Sequence, residues 1–278
     1  MKSGLWNAGF VDVRNPFNPN LVSRINFSDV DLILFCTKNP IPILNDLDKI
    51  KIPFIFHVTI TPYKNDIEPN VISKTEIINA VKKISTIIGK DNIYIRYDPI
   101  FLSDKYNIDY HIKAFNKLCT LLKGYVNTII VSFLDEYKNV LKNKNILKYR
   151  QFTENEYKLI GENFSNIART NNMVVQTCFE DRNLTEYGFK KGECLSHELA
   201  YKLTGKTYKS WKARKERKCE CVEMVDIGCY NSCKHFCKYC YANYDEKMVN
   251  ENFKNHDVNS SLLCGNLKKD DIIKVRNK

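Results

Sequence analysis

The sequence predicts an α/β fold: a partial or circularly permuted β/α barrel of the TIM type. Three observations lead there. Short β-branched runs alternate with longer amphipathic helical patterns from Val30 to Cys178, which implies a parallel sheet with helical crossovers. No G-x-G-x-x-G follows the first strand pattern, as a dinucleotide-binding sheet would require. Polar side chains recur at the C-terminal ends of successive strand patterns, where a barrel assembles its site.

The strand patterns are Val30–Thr37, Phe54–Ile60, Ile93–Tyr97, Thr128–Leu134 and Val174–Cys178. Helical faces run over Lys74–Ile88, Ile108–Leu122 and Thr153–Arg169, and Thr153 with Glu156 makes a capping box for the last. The strand ends carry Thr59, Thr61 and Tyr63, then Arg96 and Asp98, then Ser132 and Asp135, then Gln176 and Glu180. Gly205-Lys206-Thr207 hints at a phosphate loop, but Ala200 stands where the motif needs its first glycine, so that reading fails.

At 278 residues the chain makes one large domain or two small ones. Residues 1–205 read as the βα array forming most of the barrel, and residues 206–278 as a cysteine-rich segment closing it. No apolar run approaches the roughly 20 residues that span a bilayer, so no membrane association is expected. Met1–Pro16 holds no secretory pattern, which points to the cytoplasm. Net charge is +11, from 43 Lys+Arg against 32 Asp+Glu, which suits a polyanion partner such as nucleic acid. A basic run, Lys206, Lys209, Lys212, Arg214, Lys215, Arg217 and Lys218, would serve such a backbone, or dock an acidic flavodoxin- or ferredoxin-type electron donor. The plain alternative is a solvated face.

Eleven cysteines in a reducing compartment are thiols, and clustered thiols there usually bind metal. Cys36 and Cys119 stand alone on apolar segments and read as buried, inert thiols. Cys233-x3-Cys237-x2-Cys240, with Tyr239 before the last, follows a short strand pattern at Val222–Gly228 and precedes a helical pattern at Tyr241–Asn250. Three thiolates on one loop can hold three irons of a [4Fe–4S] cube and leave the fourth open. That arrangement resembles the radical SAM signature, in which the open iron binds S-adenosylmethionine and an electron cleaves it to a 5′-deoxyadenosyl radical. The competing ligand set is a zinc site that pairs Cys237 and Cys240 with Cys219 and Cys221. His235 reads as a bystander. Cys178, Cys194, Cys219, Cys221 and Cys264 suggest a second site, for an auxiliary iron–sulfur cluster or a structural zinc, with buried free thiols as the bland alternative.

The chain resembles the DUF1848 family, which is described by a radical SAM-like cysteine cluster at its C-terminus. The blocks that carry the resemblance include Arg14-Asn15-Pro16, Thr37-Lys38-Asn39-Pro40, Thr61-Pro62-Tyr63 and Asp66-Ile67-Glu68-Pro69-Asn70. Others are Arg96-Tyr97-Asp98-Pro99, Ser132-Phe133-Leu134-Asp135, Gly192-Glu193-Cys194, Val225-Asp226-Ile227-Gly228, the three-cysteine loop, Tyr241-Ala242-Asn243 and Ser261-Leu262-Leu263-Cys264-Gly265. Three positions depart from the family pattern: Cys36 where Trp is expected, Cys229 where Met or Ala is usual, and Phe236 where Gly is usual. Members also carry an upstream strand with a Ser-Arg-Arg-Thr-Asp-like stretch, so this chain is expected to begin within the helix that follows it.

In radical SAM enzymes the cluster loop follows the first barrel strand. Here its strand, Val222–Gly228, comes after the βα array, and a circular permutation is therefore expected. That order requires Val225 and Ile227 to be buried and the loop to sit at the same end as Asp98, Asp135 and Glu180. It implies a radical SAM-like enzyme that abstracts hydrogen from a substrate. Arg96, Asp98, Ser132, Asp135 and Glu180 would line the cavity, Thr59, Thr61 and Tyr239 would meet the cofactor, and Cys233, Cys237 and Cys240 would hold the cluster. The reading from another class is a zinc-stabilised nucleic-acid-binding module without catalysis.

Overall fold

The structure, a computed structural model, describes residues 9–178, 180, 182–211 and 220–276. Strands β1 (Phe10–Arg14) and β2 (Leu21–Asn26) form an antiparallel hairpin, where the sequence reading expected no strand. A six-stranded parallel sheet follows, made of β3 (Ile33–Thr37), β4 (Phe54–Thr59), β5 (Ile93–Ile100), β6 (Thr128–Phe133), β7 (Val174–Thr177) and β8 (Lys190–Lys191). Each strand lies beside its neighbour in sequence. Right-handed crossovers in such an order place the connecting helices on one face, as in a barrel and unlike a doubly wound sheet. β3 and β8 are the two edges of this sheet, which stays open among the described residues.

Helix α1 (Lys74–Ile88) joins β4 to β5, and α2 (Ile108–Leu122) joins β5 to β6. The short α3 (Lys138–Lys142) and α4 (Lys144–Leu147) precede α5 (Glu154–Thr170), which leads into β7. Each long helix begins where its sequence dictates. Ser73, Asn107 and Thr153 accept the third amide of their helices, and Thr153 with Glu156 completes the expected capping box. α6 (His197–Thr204) ends at Gly205, whose φ of 69° makes it a helix C-cap and not part of a phosphate loop.

Strand alternation divides the sheet into two faces. Phe56, Val58, Ile95, Tyr97, Ile129, Val131 and Val175 pack against Ile77, Val81, Ile84, Phe115, Leu118 and Phe164 of the long helices. Phe115 and Phe164 stack at 3.8 Å between ring centroids. Full burial of each such side chain contributes about 1.5–3 kcal/mol. The opposite, inner face carries Ile55 and Ile130, and it is covered by Leu195, α6, Tyr208, Cys221, Val222 and Met224.

The C-terminal segment corrects the sequence reading. Residues 222–228 form no strand of the main sheet. Val222 instead makes one antiparallel bridge with Ser210, and its amide donates to Leu195 O at 3.1 Å. Val225 and Ile227 are exposed, because no neighbouring strand covers them. The expected closure of a permuted barrel by this segment is therefore not formed. The helix predicted at 241–250 is α7 (Glu246–Lys254), whose start Asp245 caps. Beyond it, β9 (Ile272–Val275) runs parallel to β2. The tail is tied to the hairpin through Arg14–Asp271, and through Asp12, which accepts from Arg24 and from Ser261 Oγ. Among the described residues no helix is long and apolar enough to cross a membrane.

Candidate metal centres at the strand ends

The three-cysteine loop lies over the C-terminal ends of β4, β5 and β6. Two backbone bonds dock it: Asn70 N to His235 O at 3.3 Å and Lys238 N to Ile67 O at 2.9 Å. Asn139 Nδ2 donates to Cys240 O at 2.7 Å and to Asn243 O at 2.6 Å, and Asn143 Nδ2 donates to Lys238 O at 2.7 Å. Phe236, in the family's glycine position, takes φ 53°, the left-handed conformation that favours glycine. Cys237 is buried, Cys240 half-buried and Cys233 exposed. Burial pushes the Cys237 thiol up to about 12 despite nearby Lys38.

Under the loop sits a group the sequence reading missed. Glu68, 1% exposed, accepts from Thr61 Oγ1 at 2.5 Å and Lys38 Nζ at 2.9 Å, and also from Lys74 Nζ and the Tyr239 hydroxyl. Burial alone would raise its pKa, but Lys38, Lys74 and these hydrogen bonds bring it down to about 2. Thr61 and Tyr239 are both engaged here, and Thr59 is half-buried beside Arg96 in the β4–β5 register. The block Asp66–Asn70 was noticed in the sequence, but a lone glutamate in a loop carries no sign of its partners.

On the inner face, Arg96 Nε and Nη2 donate to Asp98 Oδ2 at 2.8 and 2.5 Å, and Ser132 Oγ donates to the same oxygen at 3.3 Å. Burial works against the Arg96 charge, but Asp98 and Cys194 outweigh it and raise its pKa. Glu180 Oε1 accepts from Phe133 N at 2.9 Å. Asp135 is exposed and accepts from Tyr137 OH at 3.2 Å, apart from the Arg96–Asp98–Ser132 group.

The second cysteine group converges only in part. The Sγ atoms of Cys178, Cys194 and Cys221 all lie within 4.8 Å of one another, with Cys178 and Cys194 at 2.8 Å. Cys221 Sγ accepts from Cys194 N at 3.2 Å, and Arg96 Nη1 reaches Cys194 Sγ at 3.5 Å. Hydrogen bonds from Cys178 and Cys221, with Arg96 beyond them, lower the Cys194 thiol, while its partners raise that of Cys178. Beside Cys194, a Cβ at Gly192 would lie 2.2 Å from the end of the Gln176 side chain, which would have to swing aside. Cys264 lies elsewhere and hydrogen-bonds with Cys229, lowering the pKa of the latter. Cys219, with Lys212, Arg214, Lys215, Arg217 and Lys218 of the basic run, lies outside the described residues.

Of the two isolated thiols, Cys119 is buried as expected. Cys36 is exposed on the inner face, among Arg96, Asp98, Cys194 and Asp226. Its strand lies at the sheet edge, so β3 lacks the cover expected of a core strand. His57, on β4, is fully buried, and neither ring nitrogen has a hydrogen-bond partner. Burial and Arg96 hold its pKa down at about 4, so the imidazole is neutral.

Comparison with known proteins places the chain in a family. Residues 4–242 match the model of the domain of unknown function DUF1848, and the chain belongs to that family. The buried three-cysteine group can hold a metal. No curated protein matches the chain. Among solved structures, the FimX EAL domain of Xanthomonas citri, in complex with c-diGMP, aligns with a TM-score of 0.25 and 10% identity. That alignment covers 67% of this chain and 85% of the EAL domain, and at that score it carries no argument.

Proposed function

We propose that this DUF1848 protein is a radical SAM-like iron–sulfur enzyme, with Cys233, Cys237 and Cys240 as the cluster ligands. One observation carries the reading: the loop is docked at the C-terminal ends of β4–β6, the end to which Arg96, Asp98, Ser132 and Glu180 belong. Two others support it. The loop thiols do not crowd within 4.8 Å as the other group does, which suits separate irons better than one ion. Cys229, the next cysteine in sequence, is engaged with Cys264, so the loop offers three thiolates.

A [4Fe–4S] cluster with S-adenosylmethionine supplies one-electron cleavage of the sulfonium and hence hydrogen abstraction. The protein's own residues set the surroundings. Glu68, Lys38 and Lys74 lock Tyr239 and the loop base. Arg96 fixes Asp98, leaving its second oxygen to meet a polar substrate. The reading requires a reductant, and an acidic flavodoxin- or ferredoxin-type protein fits the basic chain. Nucleic acid is the alternative partner for that charge.

Anaerobic analysis of iron, sulfide and 5′-deoxyadenosine tests the proposal. The reduced wild type should contain iron and sulfide and release 5′-deoxyadenosine from S-adenosylmethionine. The triple variant Cys233→Ala/Cys237→Ala/Cys240→Ala should lose both properties. Full iron content and visible absorbance in the triple variant would overturn the ligand assignment.

A further inference from the structure

Cys178, Cys194 and Cys221 meet a buried group that the catalytic reading does not use. His57 is central in β4, fully buried, and both of its ring nitrogens lack hydrogen-bond partners. Buried polar groups are almost always satisfied, so an orphaned imidazole calls for an explanation. Its ring stands within reach of the charge and backbone of Cys194 and beside Arg96. A buried imidazole beside a cluster of thiols is suited to be a fourth ligand.

The spacing suits a single ion, with the 2.8 Å pair Cys178–Cys194 opening slightly to admit it. Four ligands on a tetrahedral ion with Zn–S of about 2.3 Å hold sulfurs about 3.8 Å apart. The three thiols fall within 4.8 Å of one another, close enough to share one ion. Three thiolates on a divalent ion leave one negative charge, and the Arg96 guanidinium lies 3.5 Å from Cys194 Sγ to meet it.

We propose that Cys178, Cys194 and Cys221, completed by His57, form a closed tetrahedral site for one zinc-type ion, separate from the loop thiols. His57 lies outside the 4.8 Å group, so its imidazole must shift towards the thiols to complete the site. The site joins β4, the end of β7, the turn after β8 and the segment that covers the inner face. Its role is to staple that cover to the sheet. The inference does not depend on the loop binding a cluster.

Zinc-edge X-ray absorption on the full chain reads the site directly. The expected shell is three sulfurs near 2.3 Å and one nitrogen near 2.0–2.1 Å, the usual zinc bond lengths. The loop triple variant should keep one zinc per chain. In that background His57→Cys should retain zinc against a chromophoric chelator. His57→Phe, which fills the space without a donor, should weaken retention by more than the roughly 10–100-fold typical of losing an outer-shell partner. The proposal is overturned by a shell without nitrogen, by iron with sulfide in the triple variant, or by a Cys178–Cys194 disulfide in mass spectra. It is equally overturned if folded His57→Phe holds zinc as tightly as its parent. Wild type that holds the zinc but neither iron nor 5′-deoxyadenosine-forming activity would count only against the loop assignment.

Discussion

Cys233, Cys237 and Cys240 share one loop, and that loop is held from outside by Glu68, Asn139 and Asn143. Cys178, Cys194 and Cys221 come from three separate segments and touch one another directly. The first group owes its place to polar clamps on the loops after β4 and β6. The second owes its place to sheet register and to apolar cover from Ile130 and Met224. Thiols that are dense in sequence need scaffolding to converge, whereas these scattered thiols are brought together by the sheet itself. Changes to the clamps should therefore strip metal from the loop and leave the second group loaded.

The largest effect is expected at Glu68. Removing its charge leaves Lys38 and Lys74 without their buried partner, and breaking such a pair typically costs about 3–5 kcal/mol. Glu68→Gln should lower stability by about 3 kcal/mol in urea denaturation and empty the loop while zinc stays. The pH dependence has a definite sign. The folded pKa, about 2, lies below the ordinary 4.5, so this contribution is fully present above pH 4.5. It is lost as pH falls through 4.5 towards 2, and Glu68→Gln should flatten that window. Stability of the variant that fell as steeply as wild type over this range would remove Glu68 from the account.

An intermediate effect belongs to Asn143. Its amide is the side-chain donor to Lys238 O, between two of the loop cysteines. Leaving that carbonyl unmet costs on the order of 1–3 kcal/mol. Asn143→Ala should lower stability by about 1 kcal/mol in urea denaturation and speed iron loss to a chelator, with zinc unchanged. Equal loss of both metals would show that the two groups rise and fall together.

How far the sequence could be read follows the same division. β3 to β7, α1, α2 and α5 were legible because their apolar periods are local. Of the polar strand ends, Arg96, Asp98 and Ser132 come together, whereas Asp135 lies apart. Val222–Gly228 misled because Val225 and Ile227 alternate like a strand, yet register depends on a partner that the pattern cannot name. His57 was hidden inside the apolar run Phe54–Ile60, where it looks like core. The available signal was alternation: His57 shares the inner face with Ile55. Cys264 and Cys178 were equivalent by composition, and only the fold separates them.

The smallest expected effect sharpens the loop side of the comparison at Phe236. Its φ of 53° costs a residue with a Cβ about 1–2 kcal/mol, and glycine escapes that cost. Glycine also loses more chain entropy on folding, by roughly 0.5–1 kcal/mol relative to alanine. Removing the half-buried ring affects Phe236→Gly and Phe236→Ala alike, so their difference isolates the backbone. In ordinary backbone alanine is the more stable of the two. Here Phe236→Gly should exceed Phe236→Ala by about 0.5–1 kcal/mol, with iron content equal in both. Parallel denaturation curves decide the matter. If alanine proves equal or better, the loop does not hold this left-handed turn in solution. The site proposed at Cys178, Cys194, Cys221 and His57 would be untouched by that result.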